Sequence, residues 1–156
     1  MGWLIVCSKT CAPRRVSRGL RQKEATKMTN HELFARARAA AAGAYSPYSG
    51  VCVGAAVEAH DGSIHTGCNV ENASYGLTVC AERVALFTMV ASGGRKLRRV
   101  AVCVIGPDGG SAEPVPCGAC LQCLAEFGDD DLQIITAPDT TRRLKDHLPL
   151  PFRLDP

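Results

Sequence analysis

The chain has 156 residues, 46% of them apolar and 21% charged, a length and balance that suit one globular domain with a sizeable core. No apolar run approaches the roughly 20 residues that a membrane span requires. The net charge of +3 is unevenly placed: residues 1–27 hold seven basic side chains and one acid, a net +6, which leaves residues 28–156 at −3, an acidic body without the basic footprint of a nucleic-acid-binding surface.

Residues 1–27 read as a basic N-terminal extension, either disordered or the result of a start placed upstream of Met28; an Arg-rich, acid-poor composition leaves a targeting or nucleic-acid-binding arm as a third reading. Trp3-Leu4-Ile5-Val6-Cys7 is a short apolar start with no basic region before it, which speaks against a secretory signal. Thr29-Asn30-His31-Glu32 supplies capping residues for an alanine-rich helix over about 30–44. Its buried stripe would be Leu33, Phe34, Ala37, Ala40, Ala41 and Ala44. Gly43 and the Tyr45–Gly50 cluster end it. Residues 51–59 read as a strand, Asp61-Gly62 as a hairpin turn and 63–70 as the returning strand, with Asn69 and Glu71 at its end. A helix over about 80–91 stops before Gly93-Gly94. Arg99 to Ile105 is a continuous apolar strand, suited to a sheet covered on both faces. A loop rich in Gly, Pro and charge runs from Pro107 to Pro116, followed by a helix over about 117–127 and a strand over 132–136. A fifth strand near 142–145 has little pattern of its own. The order α-β-β-α-β-α-β predicts an α/β fold, with right-handed crossovers and parallel strands after the hairpin.

The chemistry concentrates in Cys80-Ala81-Glu82-Arg83 and Pro116-Cys117-Gly118-Ala119-Cys120. Three thiols suit Zn²⁺, which in catalytic sites keeps three protein ligands and one open position. Glu82, two residues from the first thiol, is placed to move protons beside the metal without binding it. Helix-favouring residues follow both clusters, which predicts that both open helices. Free N–H groups at helix starts offset the excess negative charge of three thiolates, and Arg83 can add to this by hydrogen-bonding a thiolate. A closed, inert site of Cys80, Cys117, Cys120 and Cys123 is the rival, although Cys123 falls a full turn beyond Cys120. Nine cysteines, an odd number, do not form a disulfide framework. A reducing, cytoplasmic setting fits them, with Cys52, Cys68 and Cys103 as buried small hydrophobes.

With these residues the chain resembles the small homotetrameric cytidine deaminases, and the resemblance covers about 28–153. Asn69-Val70-Glu71-Asn72-Ala73-Ser74-Tyr75 is similar to that family's ribose-binding segment. Tyr45-Ser46-Pro47-Tyr48-Ser49 and Val53-Gly54-Ala55-Ala56 look like its first loop and strand, and His147-Leu148-Pro149-Leu150-Pro151-Phe152 like its ending. The resemblance implies a three-layer α-β-α sandwich with a mixed five-stranded sheet over residues 28–156. It implies hydrolytic deamination of cytidine and 2′-deoxycytidine in pyrimidine salvage, with one Zn²⁺ per subunit. Cys80, Cys117 and Cys120 would ligate zinc and Glu82 would shuttle protons. Asn69 and Glu71 would take the ribose hydroxyls, with Tyr75 in the same contact set. The Ala81 N–H would meet the pyrimidine carbonyl and the Val115 carbonyl the exocyclic amine. Phe152 would reach the active site of a neighbouring subunit in a homotetramer. Nucleic acid and membrane partners are not implied.

Two departures bear on the substrate. Val51 stands where the family usually has Phe, so no aromatic face stacks on the nucleoside there, and Leu121 stands where an Arg is frequent. Deaminases of antibiotic nucleosides and of polynucleotides, and a non-catalytic zinc-stabilised binding module, are the rival readings.

Overall fold

The computed structural model describes residues 28–154, so the basic extension expected over 1–27 lies outside the described residues. Helix α1 spans Asn30–Ala41 behind a reciprocal cap. The Thr29 hydroxyl accepts from Glu32 N–H at 3.2 Å, and the Glu32 carboxylate accepts from Thr29 N–H at 2.7 Å. The helix stops three residues before the expected end. Gly43 and Ala44 N–H groups turn back onto the Ala40 and Ala41 carbonyls, which tightens the last turn and stops propagation.

The strands are β1 (Cys52–Ala59), β2 (Ile64–Cys68), β3 (Leu97–Ile105), β4 (Gln133–Ala137) and β5 (Thr140–Arg143), in the sheet order β2-β1-β3-β4-β5. Helices α2 (Ala81–Ala91) and α3 (Gly118–Phe127) precede β3 and β4, and a single turn, α4 (Leu144–His147), follows β5. Strand β1 is antiparallel to both β2 and β3, and β3 and β4 are parallel. The expected parallel direction therefore holds for β2, β3 and β4. It does not make β2 and β3 neighbours, because the crossover through α2 passes over β1. The fifth strand lies earlier than 142–145. Thr140 and Thr141 take the hairpin with β4, while Leu144 leaves the strand, donates its N–H to the Leu132 carbonyl at 2.9 Å and becomes fully buried.

Two separate cores cover the two sheet faces. Val100 and Val102 of β3 pack with Ala81, Ala85, Leu86, Met89, Leu121 and Leu124 of α2 and α3. Ala101 and Cys103, pointing the other way, pack with Leu33, Phe34 and Ala37 of α1. Of the three cysteines expected inside, Cys103 is buried, whereas Cys52 and Cys68 are half-buried near the sheet end. Cys68 is held there by a bond from its thiol to the Gly43 carbonyl at 3.0 Å. Glycine lets both layers close in. A Cβ at Gly54 would stand 2.0 Å from the Ala37 carbonyl oxygen of α1, and one at Gly67 would stand 2.4 Å from Ala85 N of α2. On the α1 face a buried Glu58–Arg99 pair also binds the Asn30 side chain and the Met28 carbonyl, each at 2.6 Å, fixing where α1 starts.

Candidate active site

The crossovers bring the N-termini of α2 and α3 together beyond the C-terminal ends of β2 and β3, where ligand sites of such sheets form. Cys80 is the N-cap of α2 and Cys117 the N-cap of α3; Cys120 lies in the first turn of α3. Neither cap thiol bonds back to its own helix, which leaves both free to face outward. The Sγ atoms of Cys80, Cys117 and Cys120 all lie within 4.8 Å of one another. Tetrahedral thiolates on Zn²⁺, at about 2.3 Å each, stand about 3.8 Å apart, so the set fits a zinc ion after a small contraction. Cys123 is not among them, and the described residues hold no other such group of three or more. The four-thiolate rival thus lacks its fourth member.

The thiols already differ in acidity. Hydrogen bonding from Cys120, and then from Arg83, draws the Cys80 thiol down to about 5, while Cys120, as the donor in that pair and buried, is pushed up. The Arg83 Nη2 atom lies 3.8 Å from the Cys80 sulfur and 3.1 Å from the Thr78 carbonyl. Glu82 is 5% exposed in the first turn of α2. Burial raises the pKa of its carboxyl, and the neighbouring Cys80 charge raises it further. The fully buried Ala81 places its N–H at the first helical position, where it donates to no described group.

Around this centre the structure places the remaining sequence candidates in distinct ways. Asn69 braces the strand end: its Oδ1 accepts from Val53 N–H at 2.8 Å and its Nδ2 donates to the Val51 carbonyl at 3.0 Å. Glu71 gathers the loop before β1, accepting from Tyr48 N–H, Ser49 N–H and the Ser49 hydroxyl. Asn69 keeps one donor and one acceptor site, and Glu71 about one of its four lone-pair sites, for a ligand. Val51 is half-buried with its N–H on Ser49 Oγ. Tyr75, in a short 3₁₀ turn, is 80% exposed, Val115 66% and Phe152 70%. The Phe152 backbone is clasped by the Gln122 amide, which donates to its carbonyl at 2.7 Å and accepts its N–H at 3.0 Å. Sequence reasoning missed Ser49 and Gln122. Neither has a spacing signal, because each acts through a contact that only the folded loop creates.

A cleft of about 730 Å³ opens at the far end of the sheet, between His60, Arg95 and Lys96 on one side and Asp129 to Asp131 on the other. None of the three thiols lines it. Two of its acids are already paired, Asp130 with Arg153 and Asp131 with Arg143 and Lys145.

Comparison with known proteins follows the same residues. Residues 27–136 match the family described as the cytidine and deoxycytidylate deaminase zinc-binding region. A cytidine deaminase of Mycobacterium tuberculosis is 49% identical over 123 residues, 79% of this chain and 89% of that protein. One from Sporosarcina psychrophila is 44% identical over 69% of this chain and 76% of its own length. Among solved structures, the cytidine deaminase of Burkholderia pseudomallei superposes with a TM-score of 0.71 at 43% identity, covering 80% of this chain and all of that one. That of Mycobacterium tuberculosis gives 0.67 at 46%, over 78% and 95%.

Proposed function

The chain belongs to the cytidine and deoxycytidylate deaminase zinc-binding family, and from that premise we propose that it hydrolyses the C4 amine of cytidine and 2′-deoxycytidine, giving the uridines and ammonia. The observation that carries this reading is the buried Glu82 carboxyl beside three converging thiols. Zn²⁺ held by Cys80, Cys117 and Cys120, one per subunit, supplies Lewis-acid activation of water. Glu82, with its raised pKa, enters the reaction able to carry a proton. It gives that proton to ring N3, which makes C4 electrophilic, takes one from the attacking water and passes it to the amine. As ammonia leaves, the new C4 hydroxyl returns its proton to Glu82, which leaves the C4 carbonyl and restores the protonated carboxyl. A group exchanging protons with several partners works best with a pKa near the operating pH, and burial moves Glu82 in that direction.

The other contacts follow the resemblance residue by residue. The free Ala81 N–H takes the pyrimidine carbonyl, and the Val115 carbonyl accepts from the amine. Asn69 and Glu71 use their spare sites on the ribose hydroxyls, with Val51 and Tyr75 at the edge of the pocket. Arg83 offsets the thiolate charge. The exposed Tyr75, Val115 and Phe152 suit a homotetramer in which each Phe152 closes a neighbouring site. Residues 28–156 form the catalytic domain. Among the described residues, no helix is long and apolar enough to cross a membrane. A cytoplasmic role in pyrimidine salvage fits the cysteines among the described residues, all of which are free thiols.

The test is uridine and ammonia formation from cytidine, with chelator and after zinc is restored. Turnover should vanish with the metal and return with it. Full turnover in protein shown to be zinc-free, or none from zinc-loaded protein, overturns the reading. Single-stranded oligonucleotide and antibiotic nucleoside, run in parallel, should be poor substrates.

A further inference from the structure

Between Ile105, the end of β3, and Cys117, the cap of α3, residues 106–116 carry the chain from the sheet to the thiol cluster. The first part closes on itself: Gly106 N–H donates to the Gly110 carbonyl at 2.8 Å and Gly109 N–H to the Gly106 carbonyl at 2.9 Å. The second part has no such scaffold. No backbone hydrogen bond joins residues 111–116 to any other described residue. Pro114 and Pro116 have no N–H to give, although both are buried.

One side chain ties this stretch to the sheet. Glu113 Oε1 accepts from the Thr136 hydroxyl at 3.0 Å and pairs with Arg142 Nη1 at 2.9 Å. Thr136 belongs to β4 and is 2% exposed; Arg142 belongs to β5. A buried hydroxyl left without a partner is costly, so Thr136 keeps Glu113 as its acceptor. Cys117 follows four residues later. Metal–ligand distances tolerate only about 0.2 Å, a precision that an untied segment does not give.

We propose that Glu113, Thr136 and Arg142 form a latch that sets the position of the Cys117 thiol, which makes Glu113 a positioning residue for the metal centre. This rests on reading the three thiols as a zinc site and on no assumption about substrate.

Glu113→Ala, Glu113→Gln, Thr136→Val and the double variant Glu113→Ala/Thr136→Val are loaded with zinc. Metal release to a coloured chelator is then timed beside wild type, with the melting temperature recorded for each. Glu113→Ala should release zinc about tenfold faster, in the range seen when the supports of metal ligands are removed. Glu113→Gln keeps an oxygen for Thr136 and should recover most of the wild-type rate. Thr136→Val should resemble Glu113→Ala, and the double variant should be no worse than either. A lowered melting temperature with wild-type release, or additive losses in the double variant, overturns the latch. Wild type that binds no zinc sinks the zinc-site reading and the latch with it; wild type that binds zinc, with Glu113→Ala releasing it equally slowly, sinks the latch alone.

Discussion

In the proposed reaction Glu82 holds a proton in one step and releases it in the next, and its burial and raised pKa suit that role. Glu82→Gln preserves shape and removes the exchangeable carboxyl. Zinc content and fold should be unchanged while kcat falls by ~10²–10⁴ or more. A variant retaining half the wild-type rate rules out Glu82 as the shuttle. Glu71 works in the opposite sense. The Ser49 hydroxyl, then the Tyr48 and Ser49 N–H groups, hold its carboxyl below the usual range. A carboxylate depressed in the folded state stabilises fully above its unfolded pKa of about 4.3 and loses that contribution as pH falls through the lower folded value. Wild type should therefore out-melt Glu71→Gln at pH 6, with the margin shrinking below about pH 4.3. A margin undiminished at pH 3 contradicts the Ser49–Glu71 linkage. At this scale the sequence showed the thiols and Glu82 plainly, because their spacing is tied to helix starts. It hid Ser49, Gln122 and Glu113, whose partners lie 22 to 30 residues away across loops.

Helix α2 carries Glu82 and Arg83 and is capped by Cys80, so its seat on the sheet decides whether they meet Cys117 and Cys120. That seat is Gly67 of β2, where an added Cβ would fall 2.4 Å from Ala85 N and 2.9 Å from the Ala81 carbonyl oxygen. Backbone atoms do not step aside as a flexible side chain does. Gly67→Ala should push the helix outward, at about 1–3 kcal/mol of stability, and lower both zinc content and kcat. Wild-type zinc content and turnover in this variant would show that α2 tolerates the shift. Most elements were legible from the sequence. Thr29 and Glu32 announce the start of α1, and the apolar run ending at Ile105 announces a strand covered on both sides. The passage of α2 over β1 was not legible, since strand order depends on which faces pack and leaves no trace in local pattern. The start of β5 was hidden for a related reason: Leu144 obeys the core while Thr140 and Thr141 obey the hairpin.

For the whole molecule, Phe152 is exposed and its backbone is held by Gln122, the placement that the proposed shared site requires. Phe152→Ala should weaken cytidine binding by roughly 1–3 kcal/mol if a stacked ring is lost. Mixing an excess of Glu82→Gln chains with Phe152→Ala chains, under subunit exchange, should restore activity, because sites with an intact Glu82 then receive an intact Phe152 from a neighbour. A fully active monomer by light scattering, or no recovery despite verified exchange, ends the shared-site proposal. The five-stranded sheet meanwhile acts as a partition. The thiol-bearing helices pack on one side of it, and α1, with the Gly54 seam and the Glu58–Arg99 pair, packs on the other. Substitutions on the α1 side can drift, or be chosen by an engineer, to adjust durability while the catalytic side stays under its own selection. The molecule thus offers evolution two independent dials on one backbone.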